Sequence, residues 1–99
     1  MSGLDENIKN QFIKWFETIM ADSKKMEAEA RERLIETGIE PNLDTVLAFL
    51  AGVCMGSAHM HSQEKYGDAR RQDIQGVWRL WCERAWIMRE AMLRTRIGG

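Results

Sequence analysis

The chain has 99 residues, of which 44% are hydrophobic and 29% are charged, and its formal net charge is −1. This balance is typical of a folded protein rather than a disordered one, and the length predicts a single domain over residues 1–99 with a modest core. The near-neutral charge indicates no preference for nucleic acid, membrane or acidic partners.

The cellular environment is predicted from the first residues and the cysteines. No basic segment followed by an apolar one opens the chain, so we expect a protein that is not secreted. The two cysteines, Cys54 and Cys82, lie far apart in sequence and form no close-spaced pair. These features together predict a cytoplasmic protein with reduced thiols.

A first, long helix is predicted over residues 5–37. Its apolar residues recur at helical spacing and share one face: Leu4, Ile8, Phe12, Trp15, Ile19, Met26, Ala30 and Leu34. Gly38 and Pro41 give a stop signal after it. Asp22 or Ser23 could cap a second segment, but the apolar face stays in phase across them. We therefore expect a continuous or merely bent helix.

A second helix is predicted over residues 43–64, with Asn42 or Asp44 as its cap. Its larger apolar residues share one face: Val46, Leu50, Val53 and Met60, together with Ser57. Small residues occupy the roughly opposite side: Ala48, Gly52 and Gly56. Because a glycine inside a helix costs about 1 kcal/mol relative to alanine, this stripe predicts a helix-packing seam, and a central helix covered on both sides. A backbone kept bare for a ligand is the alternative interpretation.

Membrane and metal binding are not expected from this segment. The apolar run from Val46 to Met55 is shorter than the ~20 residues that a membrane-spanning helix needs. His59 and His61 are two residues apart and point in different directions on a helix. Cys54, His61 and Cys82 offer three zinc ligands with no clear fourth. We expect no metal, no cofactor and no membrane contact.

The segment EKYGD, Glu64 to Asp68, resembles the ExxGD element of the all-α nucleotide pyrophosphohydrolases of the MazG type. Glu29 and Glu32 have the ExxE spacing that this family places upstream. The resemblance implies a helical bundle whose carboxylates hold Mg²⁺ for the release of pyrophosphate from nucleoside triphosphates. The chain departs from the family pattern, because ARRQD rather than an apolar helix follows Asp68, and because the gap from Glu32 to Glu64 is longer.

A third helix is predicted over residues 68–96, beginning at Asp68. Its core face consists of Ile74, Val77, Trp81, Ala85, Met88 and Met92. A second apolar stripe, which one three-helix chain cannot easily cover, is predicted to bind a partner: Cys82, Trp86, Arg89 and Leu93. Residues 68–99 carry seven arginines against four acids. Lys65, Arg70 and Arg71 are therefore candidate phosphate-binding residues.

These patterns predict an all-α protein: a three-helix bundle, or a helical hairpin with a long N-terminal helix, assembled as a homo-oligomer. No catalytic constellation is evident in the sequence. We therefore expect a small non-enzymatic protein-interaction module, an adaptor, inhibitor or regulator, acting through a surface rich in tryptophan, methionine and arginine. Binding of nucleic acid or a nucleotide by the arginine-rich start of the third helix is one alternative. A Mg²⁺-dependent nucleotide pyrophosphohydrolase is the other.

Overall fold

The computed structural model describes the backbone of residues 3–98 and the side chains of residues 3–94. Within this range the chain forms four α-helices and no strand: α1 (Glu6–Ala21), α2 (Ser23–Glu36), α3 (Leu43–Tyr66) and α4 (Arg71–Gly98). The all-α prediction is confirmed, whereas the predicted count of three helices is wrong because the first of them is divided in two. The molecule is elongated, with principal extents of 43 × 26 × 17 Å. Assembly into a homo-oligomer stays a prediction.

The first predicted helix is interrupted at Asp22, so the prediction of a continuous helix is wrong. The backbone of Asp22 leaves the helical region (φ −144°, ψ 61°), and its N–H donates to the carbonyl of Ile19 at 3.1 Å, which closes α1. Its carboxylate accepts from the N–H of Lys25 at 3.3 Å and caps α2. Both segments pack against α3 and α4. The apolar face therefore stays in phase, and periodicity alone does not reveal the break.

The two longest helices, α3 and α4, form a hairpin with the most extensive helix–helix contact in the described chain. α3 begins at a capping box, as predicted at Asn42. The Asn42 side chain accepts from the N–H of Thr45 at 2.9 Å, and the Thr45 hydroxyl accepts from the N–H of Asn42 at 3.0 Å. The helix ends at Gly67, whose φ of 86° is the left-handed conformation that glycine adopts without strain.

α4 begins at Arg71 rather than at Asp68, which lies in the bend before the helix. The N–H of Arg70 donates to the Ser62 hydroxyl at 2.8 Å. This bond holds the residue before α4 against the end of α3, so the helix starts only after it. The predicted start of this helix at Asp68 is therefore too early in the chain.

The core lies between the α3–α4 hairpin and the two shorter helices. The predicted core face of α4 is confirmed, with Val77, Trp81, Met88 and Met92 buried and Ile74 and Ala85 partly buried. On α3 the buried stripe is rotated from the predicted one. Val53 and Met60 are exposed, and the buried positions are instead Leu43, Val46, Leu50, Cys54, Ala58 and Ser62.

The stripe of small residues on α3 is not covered within the chain. Ala48, Gly52 and Gly56 are exposed, and no heavy atom lies within 4 Å of a β-carbon placed on either glycine. The prediction that this helix is covered on both sides is wrong for the single chain, because the buried stripe occupies one side only. Among the described helical glycines, the one in close contact is Gly76 of α4, where a β-carbon would lie 2.9 Å from the β-carbon of Leu4.

Candidate functional site

One face of the α3–α4 hairpin is uncovered, and we call it the outer face. Helical spacing places its members away from the buried stripes of both helices. It is defined by nine residues: Ala48, Gly52, Met55 and Gly56 on α3, and Trp78, Cys82, Trp86, Arg89 and Leu93 on α4. All of them are exposed except Met55 and Leu93, which are half-buried. The outer face combines two regions that the sequence predicts separately, the helix-packing seam and the partner-binding stripe.

The α4 side of the outer face is an aromatic ridge. Trp78, Cys82 and Trp86 are spaced by four residues, so their side chains follow one another along the helix. The exposed fraction is 49% for Trp78 and 64% for Trp86, and Cys82 is also exposed. Exposed tryptophans this close together are uncommon on a lone chain and are typical of a binding surface. Arg89 is exposed beside the ridge, and Leu93 is half-buried beyond it.

The α3 side of the outer face is smooth and uncharged. No Asp, Glu, Lys or Arg occurs from Thr45 to Gln63. Only 28% of the most apolar 18-residue window of α3 is buried within the chain. By length and composition this helix could also cross a membrane, a test that core helices pass as well. The expectation of no membrane contact therefore stays a prediction.

A groove joins the two sides of the outer face. Its volume is about 490 Å³, which is room for a large side chain from a partner. It is lined by Met55 of α3 and by Ile74, Gln75, Trp78, Arg79 and Cys82 of α4. The groove brings Met55 close to Trp78 and Cys82. The alignment of the two antiparallel helices is fixed by the hydrogen bond between Ser62 of α3 and Asp73 of α4. Counting the same number of residues along each helix from this bond puts Met55 level with Leu80, midway between Trp78 and Cys82.

A second feature is a polar cluster at the end of the hairpin, around a fully buried carboxylate. Asp73 has no exposed surface. Its Oδ1 and Oδ2 accept from Nη2 and Nε of Arg70, each at 2.9 Å. Oδ2 also accepts from the Ser62 hydroxyl at 2.6 Å, and Oδ1 from the N–H of Asp5 at 2.9 Å. These donors, Arg70 above all, lower the pKa of Asp73 to about 2.

Asp5 connects this cluster to the start of α1. Its Oδ1 accepts from the N–H groups of Asn7 and Ile8, which caps the helix. Its Oδ2 accepts from Nζ of Lys65 at 2.6 Å and from the Tyr66 hydroxyl. The hydrogen bond from Lys65, followed by that from Tyr66, holds the pKa of Asp5 well below its usual range. The cluster thus fastens the start of α1 to the end of α3 and the start of α4.

The cluster changes how the candidate phosphate-binding residues are interpreted. Lys65 and Arg70 are already paired with the carboxylates of Asp5 and Asp73. The Arg70 guanidinium also lies 3.7 Å from the centre of the Tyr66 ring. Of the three candidate residues, Arg71 is the one for which the described contacts include no such ion pair, and its side chain is exposed. Phosphate binding here stays a prediction, but it requires a ligand that displaces two internal ion pairs.

Sequence reasoning assigns Lys65 and Arg70 to a site but misses Asp5, Ser62 and Asp73. One signal for Asp73 is present in the sequence. The acid precedes Val77 and Trp81 by four and eight residues, so it falls on the core face of α4. A carboxylate on a core face needs a charged partner, and Arg70, three residues earlier, is within reach.

The cysteine and one of the two histidines of the second predicted helix line a small space between α1 and α3, whereas His59 is exposed. Cys54, Ser57 and His61 face Phe12 and Trp15 of α1 there. The Ser57 hydroxyl lies 3.2 Å from Nδ1 of His61. Burial raises the pKa of the Cys54 thiol to about 11, which keeps it protonated and a poor nucleophile at neutral pH.

The carboxylates implied by the pyrophosphohydrolase resemblance are not gathered into a metal site. Across the described part of the chain, no three His, Cys, Asp or Glu side chains are placed to hold a metal ion. This includes Glu29 and Glu32 on α2, as well as Glu64 and Asp68 near the end of α3. The pyrophosphohydrolase stays an untested alternative.

No family model, curated protein or solved structure matches the chain. The geometry of the outer face and of the polar cluster therefore has to support any function by itself.

Proposed function

We propose that this protein is a small protein-interaction module that binds its partner through the outer face of α3 and α4. The observation that carries the proposal is the exposed ridge of Trp78, Cys82 and Trp86 beside an uncharged helix. Tryptophan and arginine supply much of the binding energy in protein interfaces. We therefore assign the central contacts to Trp86 and Trp78, with Arg89 and Leu93 at the border.

The distribution of charge supports a protein partner over a phosphate-bearing one. The α3 half of the outer face is uncharged, and the cations nearest the hairpin end, Lys65 and Arg70, are held by internal carboxylates. Nucleic acid binding relies on several free cations that neutralise phosphates. The outer face offers aromatic and apolar area instead, which is the composition of an interface core.

The test is capture of partners from a native lysate by the intact protein, with and without nuclease. We expect a protein partner that is retained after nuclease treatment and at raised salt, and that is lost with Trp86→Glu. The matched control is Ile35→Glu, because Ile35 on α2 is 62% exposed, close to the value for Trp86, and lies outside the outer face. Recovery of nucleic acid alone, or equal binding by both variants, contradicts the proposal.

A further inference from the structure

We infer that the occupant of the outer face is a second copy of this chain, related by a twofold axis that runs along the hairpin in the plane of contact. In this arrangement α4 of one copy lies on α3 of the other, and the reverse. The inference rests on the proposed function, since it names the partner of the same surface. Three features of the outer face support it: matched spacing, nearly balanced charge and sufficient size.

The first feature is the matched spacing of small and large residues. Ala48, Gly52 and Gly56 are four residues apart on α3, and Trp86, Cys82 and Trp78 are four residues apart on α4. Each set therefore spans ~12 Å at 1.5 Å per residue. Because α3 and α4 are antiparallel and the hydrogen bond between Ser62 and Asp73 aligns them, the two sets run side by side in the same register.

A twofold axis along the hairpin brings these two sets face to face. It places Trp86 of one copy over the partner's Ala48, Cys82 over Gly52, and Trp78 over Gly56. The glycines are open, since no heavy atom beyond the adjoining turns of their own helix lies within 4 Å of a β-carbon there. A symmetric interface needs a surface that is complementary to itself. The outer face meets this requirement, because the ridge of large residues on α4 lies beside the stripe of small residues on α3 in the same register.

The second feature is the charge of the surface. The α3 half carries no charge, and the exposed charges that border the ridge on α4 are close to balance, with Arg79, Arg89 and Arg94 against Glu83 and Glu90. A surface of nearly balanced charge can meet a copy of itself with little repulsion. The same five side chains oppose burial of the ridge in the hydrocarbon of a membrane, where charged groups are costly.

The third feature is size. A stable interface buries about 800 Å² on each partner. α3 has 24 residues and α4 has 28, so they are about 36 and 42 Å long at 1.5 Å per residue, and two packed helices with their side chains are about 20 Å wide. The hairpin is therefore large enough to supply such an area.

The register is tested by cross-linking. Gly52→Cys places a new thiol opposite the native Cys82 of the second copy, and a mild thiol oxidant should then give a covalent dimer on a non-reducing gel. The Cys82 of the same chain is not within 4 Å of the new β-carbon, whereas a disulfide needs β-carbons about 3.8 Å apart. The matched control is Val53→Cys, which is exposed one residue further along but outside the outer face. Equal cross-linking of both variants, or none with Gly52→Cys, overturns the inference.

The assembly itself is tested by sedimentation equilibrium over a wide range of concentration. We expect a dimer for the native chain and for Ile35→Glu, and a helical monomer for Trp86→Glu. A native chain that stays monomeric overturns the inference. This holds also if the monomer binds neutral phospholipid vesicles in a flotation assay, a result that would indicate a membrane as the occupant of the outer face. If the monomeric chain still captures a protein from the lysate, and Trp86→Glu abolishes this capture, the proposed function remains supported. If the monomeric chain captures no protein, both the proposed function and the self-association are contradicted.

Discussion

Arg70 and Asp73 form a bidentate ion pair across the start of α4, with Nε and Nη2 of the guanidinium each 2.9 Å from a different carboxylate oxygen. The carboxylate is fully buried, and its other bonds come from Ser62 of α3 and from the backbone of Asp5 before α1. One acidic side chain thus joins three parts of the chain. A buried carboxylate is tolerated in a protein only when it is paired in this way.

Removal of the Asp73 carboxylate should destabilise the fold. Asp73→Ala leaves the Arg70 guanidinium, the Ser62 hydroxyl and the N–H of Asp5 without their acceptor. We expect the free energy of unfolding to fall by about 3 kcal/mol, the scale for breaking a buried, hydrogen-bonded pair. Urea unfolding followed by circular dichroism measures it. The matched acid is Asp68, which is exposed in the bend before α4, and Asp68→Ala should change stability little. Equal effects would show that the ion pair does not hold the hairpin end.

The same carboxylates should make the fold sensitive to acid. The pKa of Asp73 is lowered from 3.8 to about 2, chiefly by Arg70, and the pKa of Asp5 is lowered in the same direction by Lys65 and Tyr66. A carboxyl group whose pKa is lower in the folded state stabilises that state above its unfolded pKa. For Asp73 this contribution is complete above about pH 4. It is lost as the pH falls from there towards the folded pKa.

The acid effect is measured as the thermal midpoint between neutral pH and pH about 2. We expect a decline below pH about 4 that is smaller in Asp73→Asn, because that variant has no proton to gain at this site. Asp68→Asn serves as the control and should retain the full decline. An acid profile of Asp73→Asn that runs parallel to the native one would contradict the assignment.

Two helical glycines should respond in opposite directions to alanine. At Gly76 a β-carbon would lie 2.9 Å from that of Leu4, so the strain should exceed the gain in helix propensity, for a net loss of about 1 kcal/mol. At Gly52 nothing is in contact, and alanine should stabilise the single chain by about 1 kcal/mol. Both are measured by urea unfolding in the Trp86→Glu background, so that self-association does not contribute. Relief of the Gly76→Ala loss by Leu4→Gly, which removes that β-carbon, would identify the contact as the cause. Destabilisation by Gly52→Ala would contradict the open environment seen there.

The buried thiol should be inert in the folded protein. Cys54 is 4% exposed and its pKa is raised to about 11 by burial, and the thiolate is the reactive form. In a Cys82→Ser variant at neutral pH, iodoacetamide should leave Cys54 unmodified until urea unfolds the chain. Mass spectrometry gives the count of alkylated residues. Rapid alkylation of the folded variant would show that α1 does not cover this position.

The sequence predicts the helical segments well and the contacts between them less well. Amphipathic periodicity and the cap at Asn42 locate α3 and the core face of α4, because these signals depend on neighbouring residues along one helix. The break at Asp22 is missed, because the apolar face continues in phase on both sides of it. The start of α4 is misplaced at Asp68, because Arg70 is held by Ser62, eight residues earlier on another helix.

For the outer face, too, some features follow from the sequence and others only from the tertiary structure. The sequence alone determines that α4 has more apolar residues than one core face needs, and that α3 carries an uncharged stripe with two glycines. Only the tertiary structure decides that α1 and α2 cover the opposite side of the hairpin, which leaves both features exposed on one face. It also decides that Lys65 and Arg70 are paired internally, since their partners Asp5 and Asp73 become neighbours only when the ends of three helices meet. Periodicity describes the direction in which a side chain points from its own helix. Burial and charge pairing depend instead on which other helix packs against that side.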